Sequence, residues 1–151
     1  MGMYTELHYN VELVRDVPES VLKILRYMLN ESAKQPATPD HPLFEKGRWE
    51  HMLLCDSYYF AADTHSTLRF DKIAKQWFLC IRCNLKNYGD EIEKFIDWID
   101  PYVDAQSGNF LGFSRYEATD RKARSSEASD TCARSARRIP RAFRCERRDW
   151  R

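Results

Sequence analysis

Hydrophobic and polar residues alternate cleanly from Tyr4 to Leu13. Leu7, Tyr9, Val11 and Leu13 fall on one side and Glu6, His8, Asn10 and Glu12 on the other, the period of a half-buried strand. The period then changes. Asp16-Val17-Pro18 supplies a cap and a proline start, and Val21, Ile24, Leu25 and Met28 follow at helical spacing, widened by Leu22 and Leu29. This predicts a first helix ending near Asn30. Pro36, Pro39 and Pro42 then predict a long loop from Ser32 to Gly47, because each lacks an N–H and restricts the residue before it.

From Trp49 to Phe60 the pattern is mixed. Trp49, Met52 and Leu53 suit a helical turn, whereas Ser57-Tyr58-Tyr59-Phe60 has strand composition, so a short helix running into a strand is expected. Ser66 to Ile73 and Gln76 to Asn87 read as two arms of a hairpin. The second arm opens with Trp77-Phe78-Leu79-Cys80-Ile81, apolar enough for a central strand buried on both faces. Asp90 to Val103 gives the clearest helix, with Ile92, Phe95, Ile96, Ile99 and Val103 on one side. Gly108 punctuates its end, and Phe110 to Glu117 predicts a last strand. The order β-α-β-β-α-β, with or without one extra strand from Tyr58 to Ala61, describes an α+β ferredoxin-like sandwich. That fold hosts binders, enzymes and inhibitors alike, so it decides nothing about function.

Charge divides the chain. Residues Met1 to Asp120 hold 13 Lys+Arg against 19 Asp+Glu, a net of −6, while Arg121 to Arg151 hold 11 against 4, a net of +7. The expectation is therefore one α+β domain over 1–120 and a basic Arg/Ser/Ala-rich extension over 121–151. Ten of the eleven cations in the extension are arginine, against 6 of 13 in the body. That step in composition marks the tail as foreign to the body, the kind of segment a GC-rich alternative frame produces. Within it Arg137, Arg138, Arg141, Arg144, Arg147 and Arg148, interleaved with Phe143 and Trp150, have the makeup of a phosphate and base-stacking contact.

Candidate chemistry is sparse. The five glycines form no phosphate-cradling loop, and no nucleophile elbow or dinucleotide fingerprint occurs. Cys80-Ile81-Arg82-Cys83 has zinc and redox spacing, yet in a strand positions i and i+3 point to opposite faces. His51 and Cys55, with Asp56, Asp63 and His65 nearby, form a loose set whose plain reading is turn capping. Neither set is assigned a metal, and no cofactor or catalytic residue is expected. The chain leans away from being an enzyme. Asp90, Glu93, Asp97, Asp100 and Asp104 recur at spacings 3, 4, 3 and 4 along the second helix, a stripe of carboxylates able to imitate phosphates. The odd count of five cysteines, the lack of a basic-then-apolar start and apolar runs too short for a membrane span point to a cytoplasmic protein.

Met3-Tyr4-Thr5-Glu6-Leu7-His8-Tyr9-Asn10, Cys55-Asp56-Ser57-Tyr58-Tyr59-Phe60, Asp63-Thr64-His65-Ser66-Thr67-Leu68-Arg69 and Cys80-Ile81-Arg82-Cys83-Asn84-Leu85-Lys86-Asn87-Tyr88 resemble small uncharacterised proteins of bacteriophages and prophages. The likeness covers Met1 to Glu117 and not the tail. It implies a host-cell setting in which small accessory proteins act by stoichiometric binding. The leading expectation is a non-enzymatic, anti-CRISPR-like inhibitor of a host protein or ribonucleoprotein complex, using the acidic stripe or Tyr58 and Tyr59. The alternatives are a nucleic-acid binder working through its basic tail and a small metal-dependent enzyme.

Overall fold

The computed structural model describes residues 3–57, 60, 63–117 and 141–144. These form an α+β structure: β1 (Thr5–Glu12), α1 (Glu19–Met28), a 3-10 helix (Gly47–Leu54), β2 (Thr67–Asp71), β3 (Gln76–Leu85), α2 (Glu91–Ile99), a 3-10 turn (Asp100–Tyr102), β4 (Phe110–Tyr116) and β5 (Arg141–Arg144). The five strands make one sheet in the order β2-β3-β1-β4-β5. Every neighbouring pair is antiparallel.

Strand alternation sorts the residues of the sheet onto two faces. Leu7, Tyr9 and Val11 of β1 lie across from Cys83, Ile81 and Leu79 of β3, and all six are buried in the main core. Both α-helices cover this face. α1 contributes Val21, Leu22, Ile24, Leu25 and Met28, and α2 contributes Ile92, Phe95, Trp98 and Ile99. A run of aromatic contacts ties the layers together. It passes Tyr27–Trp49 (5.7 Å), Trp49–Phe44 (5.0 Å), Phe44–Trp98 (5.3 Å), Trp98–Phe95 (6.0 Å), Phe95–Tyr9 (6.5 Å) and Tyr9–Phe143 (6.4 Å). Edge-to-face pairs at such spacings add to the burial of area alone, so the proline-rich loop and the 3-10 helix are packed elements.

α1 ends where the residues dictate. Asn30 takes the left-handed conformation at φ 58, Glu31 N–H donates to Arg26 C=O (2.8 Å) and Asn30 N–H to Tyr27 C=O (3.0 Å). This is the double bond pattern of a Schellman stop, with asparagine tolerating the backbone that glycine usually supplies.

Three expectations are corrected. α2 stops at Ile99 and tightens to a 3-10 turn, because Pro101 has no N–H to continue the α ladder. The short helix expected around Trp49 is present as the 3-10 helix Gly47–Leu54. β3 is interior in the sheet, yet its two faces differ: Leu79, Ile81 and Cys83 are buried on the helix side, while Phe78, Cys80 and Arg82 are half-buried on the other. Four residues of the basic extension form β5 against β4, placing Phe143 in the core. The extra strand expected from Tyr58 to Ala61 falls on Tyr58, Tyr59 and Ala61, outside the described residues, while Phe60 is buried in a bend.

Candidate nucleic-acid interface

The sheet face turned away from the helices is built from the positions between the core residues. β1 supplies Glu6, His8 and Asn10, β3 supplies Phe78, Cys80, Arg82 and Asn84, and β4 supplies Phe113 and Arg115. Register places His8 between Arg82 and Phe113, and Glu6 between Asn84 and Arg115. His8 and Phe113 stack with ring centroids 4.7 Å apart and an 8° interplanar angle. Beyond them, Ala142 of β5 lies across from Phe113. Arg144, at the end of β5, is exposed and donates to the Gly108 carbonyl (3.1 Å).

One carboxylate organises this face. The Glu6 side chain is only 4% exposed and is held by Arg115 Nη2 (2.9 Å), Arg115 Nε (3.0 Å) and His8 Nε2 (3.0 Å). A buried carboxylate without such partners would be expensive, and here the arrangement also orients both neighbours. Arg115 lies over the Phe60 ring (5.1 Å), and His8 is braced for its stack. Alternation places Glu6 and His8 on the polar side of β1 but is silent on this arrangement, because Arg115 and Phe113 come from a strand more than 100 residues away.

At the far edge, the chain from Cys55 to Ser66 runs beside β3. Asn84 N–H donates to Cys55 C=O (2.9 Å) and His65 N–H to Arg82 C=O (2.8 Å). Asp56 Oδ1 accepts from Ser57 N–H (2.7 Å) and Asn84 Nδ2 (3.2 Å). The Ser57 N–H, then the Thr64 hydroxyl and the Asn84 amide, hold the Asp56 carboxyl below the ordinary carboxylate range. Asp56 is thus a loop anchor. His51, Asp63 and His65 are exposed, and no three or more His, Cys, Asp or Glu side chains converge on a metal-sized site among the described residues. Cys80 and Cys83 point to opposite faces, as strand parity requires. Burial, and secondarily Cys55, pushes the Cys83 thiol far up, and burial raises Cys55 against the pull of Arg48. A thiol held protonated is a poor nucleophile and a poor ligand.

The carboxylate stripe is discontinuous. Glu93 and Asp97 lie within α2, Asp90 and Asp100 cap its two ends, and Asp104 lies past the 3-10 turn. Glu93 accepts from Asn87 (2.9 Å), Asp97 from His41 Nε2 (3.2 Å) and Asp104 from Gln76 (3.0 Å). His41 Nδ1 accepts from Leu43 N–H (3.2 Å), which leaves Nε2 to carry the donated hydrogen. Glu91, absent from the stripe, is the buried acid of this helix, paired with Arg48 (3.2 Å). Of the other expected contacts, Tyr58, Tyr59, Arg137, Arg138, Arg147 and Arg148 lie outside the described residues. Arg141 and Arg144 open and close β5.

Searches against protein-family models, curated proteins and solved structures find no match to this chain. No helix among the described residues is long and apolar enough to cross a membrane.

Proposed function

We propose that this chain is a non-catalytic binding protein that takes single-stranded nucleic acid on its open sheet face. The reading rests on one observation: aromatic rings on the inner strands, His8 with Phe113 and, separately, Phe78, share a sheet face with Arg82 and Arg115 of the otherwise acidic body, and Arg144 of the basic extension lies at its edge. Rings on a sheet accept bases by stacking irrespective of sequence, and arginines around them hold the backbone. The strand order β2-β3-β1-β4 with both helices on one face supports assignment to the ferredoxin-like sandwiches, extended here by β5 at one edge. Among the described residues, such a layout leaves His8, Phe78 and Phe113 of the opposite face partly exposed to a ligand.

The test is fluorescence anisotropy with short labelled oligo-dT and oligo-U strands. Binding should fall steeply as salt rises, because each neutralised phosphate releases a counterion. Phe113→Ala and Phe78→Ala should each weaken it by roughly tenfold, the lower half of what one stacked base contributes. No binding at low salt, or binding indifferent to both variants, rejects the reading.

A second reading keeps the expectation of a phage-derived inhibitor of a host complex. It is favoured by the exposure of Asp90, Asp97 and Asp100 along α2, which suits a basic groove. Changing Asp90, Glu93 and Asp97 together to Lys should then abolish capture of the host complex while oligonucleotide binding is kept or strengthened. Undiminished capture by the triple variant removes the helix from consideration.

A further inference from the structure

The sheet has two edges, and β2 forms one of them. His65 N–H donates to Arg82 C=O, and β2 continues the same register, with Thr67 across from Cys80 and Asp71 across from Gln76. In an antiparallel ladder hydrogen-bonded and non-bonded pairs alternate. The odd-numbered residues Thr67, Arg69 and Asp71 therefore turn their backbone groups toward β3, and Leu68 and Phe70 turn theirs outward. Among the described residues no hydrogen bond reaches those outward groups. Phe70 is 43% exposed, and Ile73 in the adjoining turn is 95% exposed. A bare edge with exposed apolar side chains is a template for another strand.

The sequence of β2, Thr-Leu-Arg-Phe-Asp, says which strand. When two copies meet antiparallel with Phe70 opposite Phe70, the outward N–H and C=O of both residues bond reciprocally. The same register sets Arg69 of each copy across from Asp71 of the other. These two positions are non-bonded pairs, where side chains approach most closely. Shifting the centre by one residue to Arg69 would oppose two like charges. The edge is thus self-complementary in backbone, in aromatic contact and in charge in one register. The twofold symmetry it needs is that of the commonest homodimers.

We propose that β2 is a self-association edge, and that two copies pair through it into one continuous antiparallel sheet of ten strands. The proposal is independent of the nucleic-acid reading, although the twofold axis would place both open faces on the same side. Asp71 has a second duty that the pairing leaves intact: its Oδ1 accepts from Ile73 N–H (2.7 Å) and Ala74 N–H (3.0 Å), closing the hairpin turn.

Sedimentation equilibrium on the full chain, over a concentration series reaching the millimolar range, tests the pairing. Mass should rise from one copy toward two. Arg69→Glu should weaken association by roughly tenfold, because two symmetry-related cross-strand pairs turn repulsive, and Arg69→Lys should retain it. Phe70→Pro, which deletes the outward N–H, should give a monomer; circular dichroism shows whether it is folded, and if it is not, the exposed Arg69 pair of variants decides. A chain that stays monomeric throughout overturns the proposal. So does a dimer that Arg69→Glu and a folded Phe70→Pro both leave intact.

Discussion

Replacing Gly112 by alanine is expected to unfold the chain or leave it barely folded at room temperature. Gly112 lies in β4 across from Tyr9 of β1 and Phe143 of β5. A Cβ built there overlaps the carbonyl oxygen of His8 and sits 2.8 Å from Tyr9 Cα and 2.9 Å from the His8 carbonyl carbon. These are backbone atoms of a central strand, so no side chain can swing aside. Overpacking usually costs about 1–3 kcal/mol when side chains yield, and a clash with interior backbone should reach or exceed that upper figure. The alternative to unfolding is separation of β4 from β1, which would break the Glu6–Arg115 pair and the His8–Phe113 stack together. Urea denaturation read by tryptophan fluorescence measures the loss. Gly47→Ala is the matched control, since nothing lies within 4 Å of the added carbon there, and its midpoint should hardly move. A Gly112→Ala midpoint equal to that of the parent chain would mean that β4 is not held against β1 in this register.

Much of the fold is legible in local pattern. β1 declares itself through period-2 alternation from Tyr4 to Leu13, α1 through its proline start and apolar stripe, and the β2–β3 hairpin through its two flanking runs. Local pattern says nothing about distant pairing. Glu6 and His8 belong to the polar side of β1 on sequence grounds, but their meaning comes from Arg115 and Phe113, which only the β1–β4 register brings alongside. The acidic residues do not share one helix for a local reason: Pro101 has no N–H to extend α2 past Ile99, so Asp104 falls beyond it. β5 is not legible in the sequence because Arg-Ala-Phe-Arg is too short for a period to show and its arginine composition suggests an outward contact with a partner. Its one internal signal is Phe143, the large apolar side chain within Arg141–Arg144.

Phe143 decides how the tail and the body are related. Its side chain is 9% exposed, belongs to the main core and meets Tyr9 edge-on at 6.4 Å. Tyr9, fully buried, is the residue that also meets Phe95 of α2. Phe143→Ala should therefore cost about 3 kcal/mol, the lower end of the range for truncating a core phenylalanine, because an edge strand of four residues can partly collapse around the gap. Deleting Arg121 to Arg151 removes the same ring together with the β4–β5 hydrogen bonds. It should cost at least as much, since Tyr9 is then bared to water and β4 becomes an open edge. The two variants separate two histories of the molecule. If the tail is an addition that the body can do without, both urea midpoints stay at the parent value, and the composition step at Asp120 marks a true boundary. If both fall by comparable amounts, the foreign composition is superficial: the body's core is completed by a residue from the basic segment, and the −6 and +7 portions fold as one unit. The position of Phe143, between Tyr9 and solvent, argues for the second outcome.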